Sequence, residues 1–334
     1  MPEFLHQPAP RPEISSLPTV LDPAQLLRNL EKFSLPGWEW RRLDQVQVSV
    51  LKLHSGRRCT VAIRLQTDGS CYDLVGKVYA TDRSDVYRAM LAIQGAGFEK
   101  HAELSIPQPV AYLQPLQLLL QEKVAGRVAS EFFLTADERA HIEASEMCAR
   151  WLAHFHVVAP RIGPVREPGV QMACLERWSR RIARLGQPFA NKSRRLLERL
   201  EDSPLAQGGV EKRASHGSYS PAQVILAKDR TVALDWDAYG VAEPARDVAN
   251  FIVALRRLAL GRLRSIRLRD SAAETFKKAY LASGCASVES RLPFHQAAAC
   301  LQLAKYNLYH RVADWEEKLG AMLDEGLRIL ERGE

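Results

Sequence analysis

The stretch from His216 to Asp237 reads HGSYSPAQVILAKDRTVALDWD, and it decides the fold. Two short apolar runs, Val224–Leu226 and Val232–Leu234, enclose a polar turn, which is the pattern of a small hairpin of strands. Asp235 follows the second run directly. The hairpin therefore brings this acid close to the loop that precedes the first run. Polar groups held there by buried strands are well placed to bind a metal ion.

The order and spacing of the polar residues around this hairpin resemble the catalytic segment of the aminoglycoside phosphotransferase/choline kinase family, whose members share the protein-kinase-like fold. The family pattern has an Asp two residues after the His, as the catalytic base, and an Asn five residues further on, as a metal ligand. This chain keeps His216, Gly217 and the metal-type Asp235, but it has Ser218 and Gln223 at those two positions. The resemblance implies a kinase-like scaffold with a degenerate catalytic motif, in which Ser218 replaces the general-base carboxylate.

For the fold, the resemblance implies an α+β, two-lobed, protein-kinase-like arrangement. A small antiparallel β lobe with a helix would precede a larger, mainly helical lobe. We expect a disordered tail over residues 1–18, because prolines interrupt it and it can bury little apolar surface. The nucleotide-binding lobe would take residues 19–124. The helical lobe, with the catalytic-type loop and the acceptor site, would take residues 125–334.

The composition is that of an ordinary globular protein, with 46% hydrophobic and 25% charged residues in a chain of 334. No apolar run approaches the roughly 20 residues that span a bilayer, so we expect no membrane partner. The first residues lack a basic start followed by an apolar segment, so we expect no secretion signal. Six scattered cysteines without a C-x-x-C pair favour free thiols and a cytoplasmic location. The net charge of +7 weakly favours anionic partners.

Lys77 is the candidate for binding nucleotide phosphates. Three strands are predicted near residues 46–53, 60–66 and 72–79, and Lys77 lies in the third. A lysine among apolar neighbours on a central strand needs an anionic partner, although an exposed lysine on a half-solvated strand has the same local sequence. In the family, this lysine contacts the phosphates and pairs with an acid on the next helix. Asp85 is the carboxylate inside that helix, but its first-turn position also suits the helix dipole alone.

Two further segments of the small lobe are assigned by resemblance alone. In the family, the hinge between the lobes meets the adenine ring through backbone groups, and here Glu122 and Val124 occupy it. The loop His54–Arg58 would cover the phosphates. Because it contains a single glycine, an exposed turn explains this loop equally well.

The large lobe should open with a long helix. Thr135 and Glu138 have capping-box spacing, which marks a helix start, and residues 144–155 keep an apolar face of helical period. His154 and His156 near its end are two residues apart, so they diverge around the helix. We therefore expect them to be structural histidines.

Asp247 lies in a segment that begins at Glu243 and resembles the family's Asp-Pro-Ala-x-Asp-Leu-Ala. The resemblance gives Asp247 the structural role of bracing the catalytic loop. Other helices are predicted near residues 172–200, 270–282 and 293–331. In the last of these, four ring-bearing residues suit either the helix core or an acceptor pocket: Tyr306, Tyr309, His310 and Trp315.

Two groups of arginines occur in the large lobe. Solvated helix faces explain them, but a site for an acidic substrate or for nucleic acid explains them as well. No nucleic-acid motif accompanies them, and aromatic residues are sparse beside them, so we favour solvated helix faces and do not expect nucleic acid as a partner. The first group is Arg177, Arg180, Arg181, Arg184, Arg194, Arg195 and Arg199, and the second is Arg256, Arg257, Arg262, Arg264, Arg267 and Arg269.

These observations predict a protein that binds ATP and Mg²⁺ and transfers phosphate to the hydroxyl of a small-molecule acceptor with weak activity. Asp235 and Gln223 are the expected metal ligands. Ser218, at the family's Asp position, and His216 are the candidate catalytic residues. A catalytically impaired pseudokinase that acts by binding is the alternative, and a basic nucleic-acid scaffold is a third. Since serine is neutral where the family has a base, Ser218 separates the first two.

Overall fold

The computed structural model describes residues 13–32, 43–54, 56–67, 69–207, 211–283, 286–309 and 314–333. The chain divides into two compact units. The first comprises the residues up to Lys100 together with Ile106–Ala125, and the second comprises His101–Ser105 together with the residues from Gly126 onward. The first is a small antiparallel β unit with helices, and the second is larger and mainly helical, which confirms the predicted α+β class. None of the helices in the described ranges is both long and apolar enough to cross a membrane.

The elements are numbered in chain order. The strands are β1 (Leu43–His54), β2 (Arg58–Thr67), β3 (Ser70–Tyr79), β4 (Leu104–Ser105), β5 (Pro109–Leu113), β6 (Leu118–Glu122), β7 (Arg127–Val128), β8 (Arg213–Ser215), β9 (Val224–Leu226), β10 (Thr231–Ala233) and β11 (Gly240–Ala242). The helices are α1 (Leu17–Leu21), α2 (Pro23–Leu30), α3 (Ser84–Gly95), α4 (Ala129–Phe132), α5 (Glu138–Val158), α6 (Pro168–Ala183), α7 (Phe189–Glu201), α8 (Pro244–Leu263), α9 (Asp270–Leu281), α10 (Leu292–Leu303), α11 (Lys305–Tyr309) and α12 (Trp315–Arg332).

The first unit is built on a five-stranded antiparallel sheet in the order β1-β2-β3-β6-β5. Along β2 the buried residues alternate, so that Cys59, Val61, Ile63 and Leu65 face the core. This period of two is what a strand shows when one face covers a core. The central strand β3 is buried throughout its last residues, and Lys77 lies among them.

In the second unit, α6, α7, α8, α10 and α12 contribute to one hydrophobic core, to which Leu175, Leu196 and Val253 belong. Its small sheet has the order β4-β10-β9-β7. β9 and β10 form the predicted hairpin, with Val224 paired to Ala233. The residues just before β9 and just after β10 therefore lie at the same end of the hairpin.

Two long predicted helices are interrupted. Residues 172–200 belong to α6 and α7, because Gly186 takes a positive φ of 83° and Pro188 stands immediately before α7. Glycine adopts that conformation without strain, and proline cannot continue a helix through its missing N–H. The predicted helix over residues 293–331 is likewise three helices, α10, α11 and α12.

The start of α5 differs from the predicted capping box. The side chain of Asp137 accepts hydrogen bonds from the backbone N–H groups of Arg139, at 3.0 Å, and Ala140, at 3.3 Å. The hydroxyl of Thr135 instead donates to the carbonyl of Phe132 at 2.8 Å. Asp137 is therefore the N-cap, because a carboxylate directly before the first helical residue satisfies the free N–H groups there.

The predicted tail ends earlier than residue 18. Residues 1–12 lie outside the described ranges, but Ile14 is buried in the core of the first unit. The hydroxyl of Ser16 donates to the carbonyl of Leu116 at 2.6 Å. Pro18 lies in the first turn of α1. It begins a helix there because the missing N–H of a proline is not needed in the first turn.

Candidate active site

Asp247, in the first turn of α8, holds the loop that precedes β9. Its carboxylate accepts hydrogen bonds from the backbone N–H groups of His216, at 2.8 Å, and Gly217, at 2.9 Å. One ring nitrogen of His156 lies 3.3 Å from the same carboxylate, and the other lies 2.7 Å from the Tyr280 hydroxyl. The predicted brace is confirmed, and His156 has the structural role expected of it.

The carboxylate of Asp247 is fully buried, yet its pKa lies below the ordinary value for aspartate. Burial alone would raise this pKa. The hydrogen bond from His156 and the electrostatic attraction of His156 outweigh burial. Asp247 is therefore ionised at neutral pH, and its hydrogen bonds to the loop are of the stronger, charge-assisted kind.

Gly217 is a steric requirement of this loop. Its φ is +78°, and a Cβ on it would lie 2.3 Å from the carbonyl oxygen of Ala238. Any side chain here would both clash with backbone and be strained in the left-handed region. The glycine therefore lets the loop pack directly against the short helical turn Trp236–Ala238.

His216 is buried, and its ring packs 4.7 Å, centre to centre, from that of Trp236. Its Nε2 lies 2.8 Å from the carbonyl oxygen of Leu234. Because a carbonyl oxygen only accepts, Nε2 must carry a proton. In the neutral ring Nδ1 is then a hydrogen-bond acceptor. Nδ1 lies 3.4 Å from the Ser218 hydroxyl, which can donate to it.

Gln223 links the loop before β9 to Asp235, which follows β10. Its amide nitrogen donates to the Ser218 hydroxyl oxygen at 3.3 Å and to the Asp235 carboxylate at 3.4 Å. Its amide oxygen accepts from the Ser220 hydroxyl at 3.2 Å. The structure thus brings together His216, Ser218, Gln223 and Asp235, and one hydrogen-bonded chain runs through all four.

Asp235 supplies the carboxylate among these four hydrogen-bonded residues, and a carboxylate is a suitable ligand for a metal ion. It follows β10 with a φ of +66°, a conformation that non-glycine residues rarely adopt. Among the residues described, no group of three or more His, Cys, Asp or Glu is arranged to hold a metal. One carboxylate is nevertheless enough for Mg²⁺ when phosphate oxygens complete its shell. Gln223 turns its amide nitrogen toward Asp235, so its carbonyl would have to rotate to serve as a ligand.

The other predicted site residues lie in the first unit. Lys77 is only 5% exposed. Asp85, in the first turn of α3, is exposed and accepts hydrogen bonds from the guanidinium of Arg83 at 2.9 and 3.2 Å. Glu122 ends β6, and Val124 lies two residues beyond it.

A pocket of about 370 Å³ opens beside the loop, entirely within the second unit. Gly217, Ser218, Ser220 and Gln223 line it on the side of the loop. Its other walls carry five cationic side chains, and no carboxylate is among the described lining residues. The cations are Arg166, Arg177, Arg246, Arg257 and Lys305.

Sequence reasoning missed Arg166 and Arg246 as residues of the site. Arg246 directly precedes Asp247, so the bracing motif marks its position. Arg166 carries no comparable signal. Its place follows from a hydrogen bond that its backbone N–H donates to the carbonyl of Val241 at 2.8 Å.

The four ring-bearing residues of the C-terminal region have different positions. Tyr306 lines the pocket, as one of the two interpretations expected. Trp315 packs 6.2 Å, centre to centre, from Phe189 and belongs to the helical core. The side chain of Tyr309 and the whole of His310 lie outside the described residues.

A sequence model of the phosphotransferase enzyme family, APH, matches residues 50–289. A search of the curated proteins gave no match.

Solved structures of kinases and phosphotransferases share the fold. A putative aminoglycoside phosphotransferase from Ralstonia eutropha has a TM-score of 0.63 at 16% identity, covering 92% of this chain and 97% of that one. A choline/ethanolamine kinase family protein from Mesorhizobium loti has a TM-score of 0.59 at 12% identity, covering 95% and 94%. An amicoumacin kinase in complex with AMP-PNP and Ca²⁺ has a TM-score of 0.56 at 13% identity, covering 85% and 88%. At these identities the likeness shows the fold alone. Because the family match extends over more than half of the sequence, the chain belongs to the phosphotransferase enzyme family.

Proposed function

We propose that the chain is a small-molecule phosphotransferase that uses ATP and Mg²⁺ and works slowly. The observation that carries this proposal is the hydrogen-bonded chain His216–Ser218–Gln223–Asp235 at the wall of a pocket. The hydrogen bonds from the loop backbone to Asp247 position these four residues. The amicoumacin kinase with AMP-PNP and Ca²⁺ supports the nucleotide and divalent-cation part of the proposal by analogy.

In the proposed reaction, the acceptor's hydroxyl oxygen attacks the terminal phosphorus of ATP. The bond from that phosphorus to the bridging oxygen breaks, and ADP leaves. The acceptor proton passes to the Ser218 oxygen while the Ser218 proton passes to Nδ1 of His216, which lies 3.4 Å away. Serine has two acceptor lone pairs. One receives the amide of Gln223, and the other is left for the acceptor hydroxyl.

This relay explains why we expect a low rate. Ser218 is neutral and cannot retain the proton, so the base is the imidazole of His216, acting through a hydroxyl. Loss of a direct general base costs about 10²–10⁴-fold in rate. Phosphoryl transfer nevertheless depends mostly on positioning and on neutralising charge, so the activity is reduced rather than abolished.

Asp235 would hold the Mg²⁺, with Gln223 assisting once its carbonyl has turned. A bound Mg²⁺ neutralises the negative charge of the β- and γ-phosphates. The half-buried position of Asp235, two residues after the end of β10, fits this role.

In the first unit, Lys77 would bind the nucleotide phosphates. Its place on the central strand β3 supports this, because a lysine ammonium is a point charge that binds phosphate groups. Backbone groups at Glu122 and Val124 would meet the adenine ring. Asp85 already accepts two hydrogen bonds from Arg83, so its part in nucleotide binding stays a prediction.

A pseudokinase is the second candidate, and the orientation of Gln223 favours it. The amide nitrogen, which cannot bind a metal, faces Asp235. Together with Ser218 in place of a base, this geometry suits a protein that binds without catalysis.

A cytoplasmic location also stays a prediction. The five described cysteines are free, and burial raises the pKa of the Cys59 and Cys148 thiols. Raised pKa values make these thiols poor nucleophiles, which suits structural residues.

Calorimetric titration of ATP into the full chain, with and without Mg²⁺, tests the proposal. Wild type should bind more tightly with Mg²⁺, and Asp235→Asn should lose that increment. ATP consumption with alcohol acceptors should be slow but measurable. Binding without consumption for any acceptor would favour the pseudokinase, and absence of nucleotide binding would overturn both.

A further inference from the structure

We propose that the pocket beside Ser218 takes an anionic acceptor, namely an alcohol that also carries a phosphate or carboxylate group. This inference rests on the proposed function, because it names the acceptor of the same site. Its binding part can be tested without any turnover.

The first observation is the charge of the pocket walls. Five cationic side chains line about 370 Å³, and the described lining contains no carboxylate. Within the part of the chain that the structure describes, no carboxylate lies at ion-pairing distance from the guanidinium groups of Arg166, Arg177, Arg246 or Arg257. Arginine is the residue that matches the geometry of phosphate and carboxylate groups.

Arg257 shows that this charge is incompletely compensated. Its Nε is buried and has no hydrogen-bond partner among the described residues. The guanidinium stacks on Tyr306, 4.8 Å from the ring centre, and burial lowers the pKa of Arg257. Burying an unpaired charge is costly unless a partner arrives. An anion in the pocket is such a partner.

Arg246 is similar. Its Nη1 donates to the side-chain oxygen of Gln171 at 3.3 Å. Burial lowers the pKa of Arg246, the charge of Asp247 raises it, and the like charge of Arg166 lowers it further. Two guanidinium groups that repel each other across a pocket wall are stabilised by an anion that contacts both.

The acids behind the pocket are already engaged. Asp247 is satisfied by the loop backbone and by His156. Glu243 accepts from the guanidinium of Arg291 at 2.9 and 3.0 Å and lies 3.0 Å from the ring of His295. These carboxylates therefore already have partners within the fold.

Three arginines of the second sequence group, which lie outside the pocket, have partners. Arg256 pairs with Asp270 and Glu325, and Arg267 also pairs with Glu325. Arg269 donates to backbone carbonyls instead. The four arginines that line the pocket differ from these three in having no carboxylate at ion-pairing distance among the described residues. A pocket of about 370 Å³ favours a small anion over nucleic acid.

The pocket also disfavours the opposite kind of acceptor. A cationic amino alcohol would meet five like charges without a described carboxylate to receive it. Like-charge contacts of this kind are how a site rejects a wrong ligand.

Calorimetry with inorganic phosphate and with citrate, on the full chain at low salt, tests the binding part. We expect binding that weakens as salt rises. Arg257→Gln and the exposed Arg177→Gln should each weaken it by about 10–100-fold, the effect of losing a hydrogen bond to a charged group. Arg262→Gln, on an exposed position of the same helix as Arg257, is the matched control and should bind like wild type.

A phosphate ion can also bind where the nucleotide phosphates would. Phosphate binding that is lost in Lys77→Met but kept in both Arg257→Gln and Arg177→Gln would overturn the inference. So would equal losses in the pocket variants and the Arg262→Gln control.

Turnover with three matched diols tests the acceptor itself. They are glycerol 3-phosphate, glycerate and 3-amino-1,2-propanediol. We expect ATP consumption with the first, the second or both, and little with the amine; the two anions distinguish phosphate from carboxylate. Preference for the amine would overturn the inference and leave the proposed phosphotransferase standing. Anion binding at the pocket without consumption of ATP would refute the proposed function and leave the anion site standing.

Discussion

At the scale of single residues, Ser218 is the position on which the proposed activity depends. A carboxylate at this position would take the proton of the substrate hydroxyl directly. The serine hydroxyl must instead pass a proton on to Nδ1 of His216, 3.4 Å away. The tautomer needed for this relay is imposed by the carbonyl of Leu234, which accepts a hydrogen bond from Nε2–H. Gln223 limits this relay, because its side-chain amide already donates a hydrogen bond to the Ser218 oxygen.

Ser218→Asp should raise ATP turnover by up to about 10²–10⁴-fold, the contribution of a general base. The new carboxylate would face the same pocket and accept the proton without a relay. Steady-state turnover with a saturating acceptor measures this, and Ser220→Asp serves as control, since Ser220 lines the same pocket. Robust wild-type turnover that falls in Ser218→Asp would contradict the relay.

At the scale of elements, the start of α8 positions the catalytic-type loop. Asp247 reaches back to two consecutive backbone N–H groups, and Gly217 lets the loop pack against the turn after Asp235. Positioning by buried, charge-assisted hydrogen bonds is rigid, which is what a proton relay requires.

Asp247→Asn should lower the free energy of unfolding at pH 7 by about 3 kcal/mol or more, because a buried charge partner is removed. The folded pKa of Asp247 lies below its ordinary value of 3.8. Its contribution to stability is therefore fully present above about that pH and is lost as the pH falls through the lower folded value.

Urea unfolding of both proteins from pH 7 to acid measures this contribution. The difference in unfolding free energy between wild type and Asp247→Asn should narrow below about pH 3.8. A difference that stays constant over the whole range would contradict an ionised Asp247 in the folded state.

Gly217→Ala should destabilise the protein by about 1–3 kcal/mol, from backbone strain at a positive φ together with the clash on Ala238. Gly261→Ala is a suitable control, because nothing lies within 4 Å of the Cβ it would add in α8. That control should be neutral or stabilising by about 0.5–1 kcal/mol. Equal effects of the two substitutions on urea unfolding would show that the loop is not sterically constrained.

At the scale of the whole molecule, the candidate residues are divided between the two units. In the proposed function, the first unit would supply Lys77 for nucleotide phosphates. The second would supply the loop, Asp235 and a cationic pocket for the acceptor. A protein that binds ATP only in its folded state is stabilised by it, by about 2.7 kcal/mol at a hundred times Kd.

Lys77→Met should therefore reduce the increase in Tm caused by ATP and leave that caused by adenosine nearly unchanged, since methionine keeps the apolar stem and removes only the charge. Lys52→Met, on an exposed position of β1, controls for the loss of a lysine. Equal losses for ATP and adenosine would mean that the substitution acts through the stability of the first unit.

By itself, the sequence determined the hairpin, because its two apolar runs and polar turn are close together in the chain. The order and spacing of the motif residues determined the α+β class, the bracing role of Asp247 and the family, through the resemblance that they carry. Predictions from local sequence patterns were wrong where tertiary contacts or backbone conformation override the pattern. Asp137 caps α5 in place of Thr135, and the turn at Gly186 divides a long predicted helix.

Only the tertiary structure decided which arginines line the pocket and which groups Ser218 is hydrogen-bonded to. Arg166, Arg177, Arg246, Arg257 and Lys305 come from separate segments of the chain and line one pocket. Whether each arginine finds a carboxylate depends on contacts between helices that no local pattern encodes. The proton position on His216 likewise depends on a carbonyl eighteen residues away along the chain. Charge pairing and tautomer are set by long-range packing, so they become visible only when the chain is folded.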